Sequence, residues 1–170
     1  MFTEHYTAVR GYALRRTSAD AAQDTVAETF LVAWRRAADV PVGGEARLWL
    51  FGVARRVLAN QRRGESRRNR LAEVLQAEIR AARSSQAEPD AEDRAVLEAL
   101  SRLTPDDREL LLLAGWEELG SGEIARVLGV STVAARTRLH RARRRLRAEL
   151  AAETGDPSKN CVEELRFEEA

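Results

Sequence analysis

The chain has 170 residues, room for one domain or two small ones. Its 28 Lys+Arg stand against 27 Asp+Glu, and the resulting net charge of +1 argues, taken alone, against a simple polycationic nucleic-acid binder. One cysteine (Cys161) and two distant histidines (His5 and His140) exclude a disulfide framework, a cysteine zinc cluster and an H-E-x-x-H helix, and no run of 18 apolar residues could span a membrane.

The composition favours helix. Arginine supplies 27 of the 28 basic residues and alanine 29 residues in all, and both rank high in helix propensity. The N-terminus, MFTEHYTAVR, lacks the apolar stretch of a signal peptide, so the cytoplasm is the expected compartment. A first helix is predicted over Thr3–Arg16. A second begins at Asp20, with Val26, Ala27, Phe30, Leu31, Trp34 and Ala38 recurring at helical spacing, and ends at Pro41-Val-Gly-Gly44. A third runs from near Glu45 through Leu48, Phe51, Val53, Val57 and Leu58 into Arg62-Arg63. Seven of the nine aromatics lie in residues 1–51, which puts the larger core on the N-terminal side. Residues 81–90, with RSSQAEPD at 83–90, lack apolar periodicity and read as a linker. A helix over Ala91–Arg102 sets Val96, Leu97, Leu100 and Leu103 on one side. Thr104-Pro-Asp-Asp107 opens the next, with Thr as N-cap, Pro at N1 and acids in the first turn. Residues 151–170 form an acidic tail expected to be disordered.

Residues 121–150 carry the sharpest local pattern. Glu123–Leu128 reads as a short helix burying Ile124, Ala125 and Leu128. Gly129 follows where a left-handed residue closes a helix, Val130 anchors the turn, and Ser131 is placed to cap the next helix. There Ala135, Leu139, Ala142, Leu146 and Leu150 form a stripe about 80–100° wide. The opposite face holds Arg136, Thr137, Arg138, His140, Arg141, Arg143, Arg144, Arg145 and Arg147. No acid interrupts Arg136 to Arg147, whereas a solvated surface helix usually mixes Glu with Arg. A helix-turn-helix of this form lays its second helix in the major groove, where arginine suits guanine and phosphate alike.

Summing charge by segment sharpens the picture. Residues 1–80 are net +5, 81–120 net −6, 121–150 net +6 and 151–170 net −4. Two basic blocks alternate with two acidic ones, and the total hides them.

The stretch Leu103-Thr-Pro…Arg108-Glu-Leu-Leu-Leu-Leu113…Trp116-Glu…Glu123-Ile-Ala-Arg-Val-Leu-Gly-Val-Ser131…Arg136-Thr-Arg-Leu-His-Arg-Ala-Arg143 resembles region 4 of bacterial RNA polymerase sigma factors of the extracytoplasmic-function (ECF) group. Asp20-Ala-Ala-Gln-Asp24-Thr-Val-Ala-Glu28-Thr-Phe-Leu-Val-Ala-Trp-Arg35, with Leu48-Trp-Leu-Phe51…Ala54-Arg55…Asn60…Arg62-Arg63, resembles region 2. The resemblance covers roughly residues 1–150 and implies an all-α fold of two small helical domains joined by a linker. These are a region 2-like domain over 1–80, the linker at 81–90, and a region 4-like helix-turn-helix domain over 91–150, with the tail at 151–170.

The resemblance also implies partners: core RNA polymerase, promoter DNA and an anti-sigma factor, for a chain that is monomeric when free and makes no membrane contact. It sets Asp24, Glu28 and Arg35 at the polymerase interface. Arg47, Arg55, Arg56, Asn60, Arg62 and Arg63 become a basic track for the unpaired −10 strand. Trp49 and Phe51 are placed either to stack on bases or, as their periodicity favours, in the core. Arg136, Thr137 and Arg141 are matched to −35 bases, and Ser131, Thr132, Arg138 and Arg144 to phosphates. Gly120 stands where the family usually has a capping Ser, so the capping box with Glu123 is expected to be lost and Ser121 to substitute.

Two other functional classes stand beside this one. A stand-alone helix-turn-helix regulator would carry the C-terminal pattern but would not need the pair of segments at Asp20–Arg35 and Leu48–Arg63. An enzyme is disfavoured: the chain has no P-loop, nucleophile elbow, metal spacing or dinucleotide fingerprint, so no catalytic residue, metal or cofactor is expected.

Overall fold

The computed structural model describes residues 2–72 and 91–154, and the linker at 81–90 and the tail from 155 onward lie outside them. All regular structure among the described residues is helical: α1 (Phe2–Leu14), α2 (Ala19–Arg35), a 3₁₀ turn (Ala37–Asp39), α3 (Gly44–Ala72), α4 (Ala91–Arg102), α5 (Pro105–Gly115), α6 (Ser121–Leu128) and α7 (Thr132–Thr154). Helix α7 continues four residues past 150, into the stretch expected to be tail.

Local chemistry sets the helix ends. The Ser18 hydroxyl accepts from the Ala21 N–H and starts α2. Thr104 accepts from the Asp107 N–H at 3.2 Å, with Pro105 at N1 of α5. Arg108 caps α4 from outside, its Nε donating to the Leu100 carbonyl at 2.8 Å and its Nη2 to that of Ser101 at 2.7 Å. Gly43 turns with φ 64° immediately before α3.

Two apolar faces differ from the sequence pattern. In α2 the buried residues are Ala22, Thr25, Val26, Thr29, Phe30 and Ala33, whereas Ala27, Leu31 and Trp34 face outward and Ala38 lies exposed beyond the helix. The threonines can be buried because their hydroxyls are satisfied. Thr29 Oγ1 donates to the Thr25 carbonyl, and Thr25 Oγ1 bonds to the Ala21 carbonyl and to Gln61 of α3 at 2.9 Å. In α4 the buried side is Ala99 and Leu100, followed by Leu103, while Leu97 is half out in solvent. Alanine and threonine share the inward face of α2 with Val26 and Phe30, and Ala99 shares that of α4 with Leu100.

The core is one body. Val9, Tyr12 and Ala13 of α1, Phe30 of α2 and Leu50, Phe51 and Ala54 of α3 belong to the same buried cluster as Leu110 and Leu113 of α5, Ile124 and Val127 of α6, and Leu139 of α7. The Tyr12 ring stacks on Phe51 with centroids 4.9 Å apart. The aromatic-rich N-terminal half therefore does not close a core of its own but shares one with α5–α7.

Candidate functional site

Helices α6 and α7 form the helix-turn-helix from local causes. Gly129 sits at φ 68°, ψ 38°, the left-handed position, and the Val130 N–H reaches back to the Ala125 carbonyl at 3.0 Å. Ile124, Ala125 and Val127 are buried, and Leu128 is only partly so. Ser131 Oγ accepts from the Ala134 N–H at 3.2 Å and starts α7. At the start of α6 the expectation was half right. Gly120 has no side chain to cap with, but Glu123 still reaches back, its carboxylate accepting the Gly120 N–H at 2.9 Å. Ser121 is the first helical residue rather than the cap.

In α7, Ala135, Leu139 and Ala142 are buried, with Leu146 and Leu150 partly covered. Ser131, Thr132, Arg136, Thr137, Arg138, Arg141 and Arg144 are all exposed. The Arg143 guanidinium is held below its usual pKa, first by partial burial and then by repulsion from Arg147. Arg145 pairs with the buried carboxylate of Asp107 and ties α7 to α5.

On α3, Arg55, Arg56, Asn60, Arg62 and Arg63 line an open cleft of about 460 Å³. Arg47 is not among them: it lies nearer the start of α3, its guanidinium 5.9 Å from the Phe51 ring. Phe51 is 1% exposed and packed on Tyr12, so it cannot stack on a base. Trp49 is half-buried and lines a smaller cleft with Pro41, Glu45, Gly52 and Arg126.

The far wall of the larger cleft belongs to α5, through Pro105, Asp106 and Glu109. Tyr12, Arg16 and Glu109 also line the cleft, and they belong to a network of five residues. Tyr12 Oη donates to Glu109 at 2.7 Å, and Arg16 Nε reaches the other Glu109 oxygen at 2.7 Å. Arg15 Nη2 lies 2.8 Å from each oxygen of Glu117, and Arg16 Nη1 lies 3.2 Å from one of them. The Arg16 side chain is 2% exposed and that of Glu117 5%. Arg16 also stacks its guanidinium 3.6 Å over the Tyr12 ring. Burial, reinforced by the Glu109 charge, pushes the Tyr12 phenol well above its ordinary pKa. Burial would lower the Arg16 guanidinium, but Tyr12, Glu109 and Glu117 outweigh it, and its pKa is raised. One of its nitrogens, Nη2, is buried with no partner among the described residues. Sequence reading did not find this network. Its partners lie about a hundred positions apart, and the only signal was the opposite sign of the two charge blocks.

Asp24, Glu28 and Arg35 are exposed on α2. At about 100° per residue they share a sector of about 60° with Leu31, opposite the buried face. Trp34, 76% exposed, flanks that sector. Leu31 and Trp34 share the helical spacing of Val26 and Phe30 yet face outward, which gives this surface an apolar part.

Comparison with known proteins agrees with this architecture. Residues 1–68 match the family model for sigma-70 region 2, and residues 93–146 match that for sigma-70, region 4. The chain is 34% identical over 158 residues to the ECF RNA polymerase sigma factor SigL of Mycobacterium tuberculosis, covering 88% of this chain and 86% of that protein. It is 33% identical over 152 residues to the RNA polymerase sigma factor CarQ of Myxococcus xanthus, covering 86% and 85%. Among solved structures, the sigma factor RpoE of Bartonella quintana, in complex with the anti-sigma factor NepR, superposes with a TM-score of 0.70 at 25% identity, covering 89% of this chain and 95% of that one. CnrH, in complex with the cytosolic domain of CnrY, gives 0.59 at 26% identity, covering 89% and 86%. With both regions present in order and full-length relatives at this identity, the chain belongs to the ECF group of RNA polymerase sigma factors.

Proposed function

We propose that this sigma factor divides its work among three surfaces. Residues 1–80 bind core polymerase and the −10 element, and residues 91–150 bind the −35 element. Helix α7 enters the −35 major groove, with Arg136, Thr137 and Arg141 on base edges and Ser131, Thr132, Arg138 and Arg144 on phosphates. Helix α3 carries the unpaired −10 strand along Arg55, Arg56, Asn60, Arg62 and Arg63, with Arg47 at its upstream end. The outer face of α2, through Asp24, Glu28 and Arg35, docks on the polymerase, and Leu31 and Trp34 supply apolar area there. The observation that carries this reading is the set of exposed arginines Arg136, Arg138, Arg141, Arg144 and Arg147 on α7, in a stretch whose sequence has no acid from Arg136 to Arg147, and which phosphates would neutralise.

The chain works in the cytoplasm and catalyses no reaction itself; nucleotide addition belongs to the core enzyme. No described helix is long and apolar enough to cross a membrane. An anti-sigma factor is a further partner, in keeping with the complexes in which two solved relatives were determined.

In transcription with purified core polymerase, wild-type protein yields a promoter-specific transcript. Arg136→Ala or Arg141→Ala weakens −35 dependence by about 1–3 kcal/mol per lost bidentate contact. Unchanged −35 selectivity in both variants would remove the base-contact assignment.

A further inference from the structure

Helix α7 leaves one large apolar side chain in solvent. Val133, in its first turn, is 76% exposed, and no other large apolar residue among the described part of α7 is exposed. At about 100° per residue, Val133 stands about 120–180° from the buried Ala135, Leu139 and Ala142, and within about 60° of the exposed Arg136 and Thr137. It faces away from the core. Helix formation does not call for valine there either, since a β-branched residue is a poorer helix former than the alanine that follows it. The cap that starts α7 uses the Ser131 hydroxyl and the Ala134 N–H, not the Val133 side chain. The position points instead to something outside the fold. Val133 lies in the N-terminal turn of the second helix of the helix-turn-helix, the turn that meets base edges when such a helix enters the major groove. Arg136 and Thr137 beside it can hydrogen-bond to those edges; Val133 cannot. In that groove guanine, adenine and cytosine present hydrogen-bonding atoms and no methyl group, whereas thymine adds its C5-methyl.

We propose that Val133 is a specificity-determining residue of the −35 surface: its side chain packs on the C5-methyl of one thymine. Three residues of helix advance about 4.5 Å, against about 3.4 Å per base step, so this thymine lies one or two base pairs from the base met by Arg136. The contact selects in two ways. It removes the valine and the thymine methyl from water together. It also disfavours the other bases, whose polar edges would lose water to a side chain that offers no hydrogen bond. Val133 thus reads by shape and apolarity at a step where its neighbours read by hydrogen bonds. This inference rests on the assignment of α7 to the −35 major groove.

The test removes the methyl from the DNA and the side chain from the protein. The probe is a promoter duplex selected from fragmented genomic DNA by holoenzyme assembled from the full chain and core polymerase of its own cell. Each thymine of its −35 element, on either strand, is replaced singly by deoxyuridine, which lacks the C5-methyl and keeps every hydrogen-bonding group. Holoenzyme binding to each duplex is measured by competition. With the wild-type chain, one replacement is expected to weaken binding about fourfold, the scale of one apolar carbon left in water. V133A should bind the unmodified duplex about fourfold more weakly than wild type and be indifferent to that same replacement. A −35 element without thymine, or a wild-type chain indifferent to every replacement, overturns the proposal. So does V133A that keeps the wild-type sensitivity. A V133A loss that is equal on all duplexes, modified or not, also overturns it and assigns Val133 to a protein contact. R136A and R141A on the same promoter separate the two layers. If either changes −35 selectivity while the Val133 test fails, the thymine contact is wrong and the −35 assignment stands. If neither changes it, α7 is not in the groove and both readings fall.

Discussion

Glu117 shows how much one side chain can be asked to hold. It lies just past the end of α5, is almost wholly buried, and receives guanidinium groups from Arg15 and Arg16. Buried pairs of this kind add little net stability relative to an apolar core, but removing one partner leaves a charge stranded. Glu117→Gln is therefore expected to lower unfolding stability by about 3–5 kcal/mol, read from urea denaturation; a loss below about 1 kcal/mol would mean that solvent reaches the site. Tyr12 supplies a pH signature. Its folded pKa lies well above the ordinary 10.0, so above pH 10 the unfolded chain releases this proton while the folded chain keeps it. Its contribution is complete below pH 10 and is lost as pH rises through the folded value. Tyr12→Phe should remove that part of the alkaline loss, measured as the slope of unfolding free energy against pH. None of this pairing was legible beforehand, because an ion pair across a hundred residues leaves no local spacing to read.

Among the elements, legibility followed the range of the interaction. The caps at Thr104 and Ser131 and the left-handed Gly129 were readable because each depends on residues within one turn. The inward face of α2 was not, because its threonines satisfy their hydroxyls on the preceding turn and on Gln61, which the α2 sequence alone does not reveal. Two left-handed residues give matched predictions of opposite sign. Gly129 at φ 68° has open space where a Cβ would go, so Gly129→Ala costs only the backbone penalty, about 1–2 kcal/mol. Glu118 already bears such a penalty at φ 56°, so Glu118→Gly should raise stability by up to about 1 kcal/mol, the gain in strain less the added freedom of the unfolded chain. Thermal midpoints moving in the same direction for both would contradict this account.

At the scale of the whole molecule, two domain-length sequence matches share a single core. The stand-alone regulator considered at the outset gives way here, since region 2 is present as well as the helix-turn-helix. Because Tyr12 and Phe51 are buried in the same cluster as Leu113 and Ile124, the halves should unfold together. Calorimetry is expected to show one transition with equal calorimetric and van't Hoff enthalpies; two separated transitions would show that the shared core contributes little coupling. The helical class and the order of the two regions were legible from periodicity and motif spacing, but not the way the halves close on each other. The three tryptophans have a practical consequence. Trp34 stands 76% exposed on the outer face of α2, Trp116 is 52% exposed next to Glu117, and Trp49 is half-buried between α3 and α6. The outer face of α2, the cleft beside Trp49 and the end of α5 thus each carry an intrinsic fluorophore in a different starting environment. Single-tryptophan versions of the chain would report by emission wavelength which surface becomes covered and which becomes wet, and in what order, without any label.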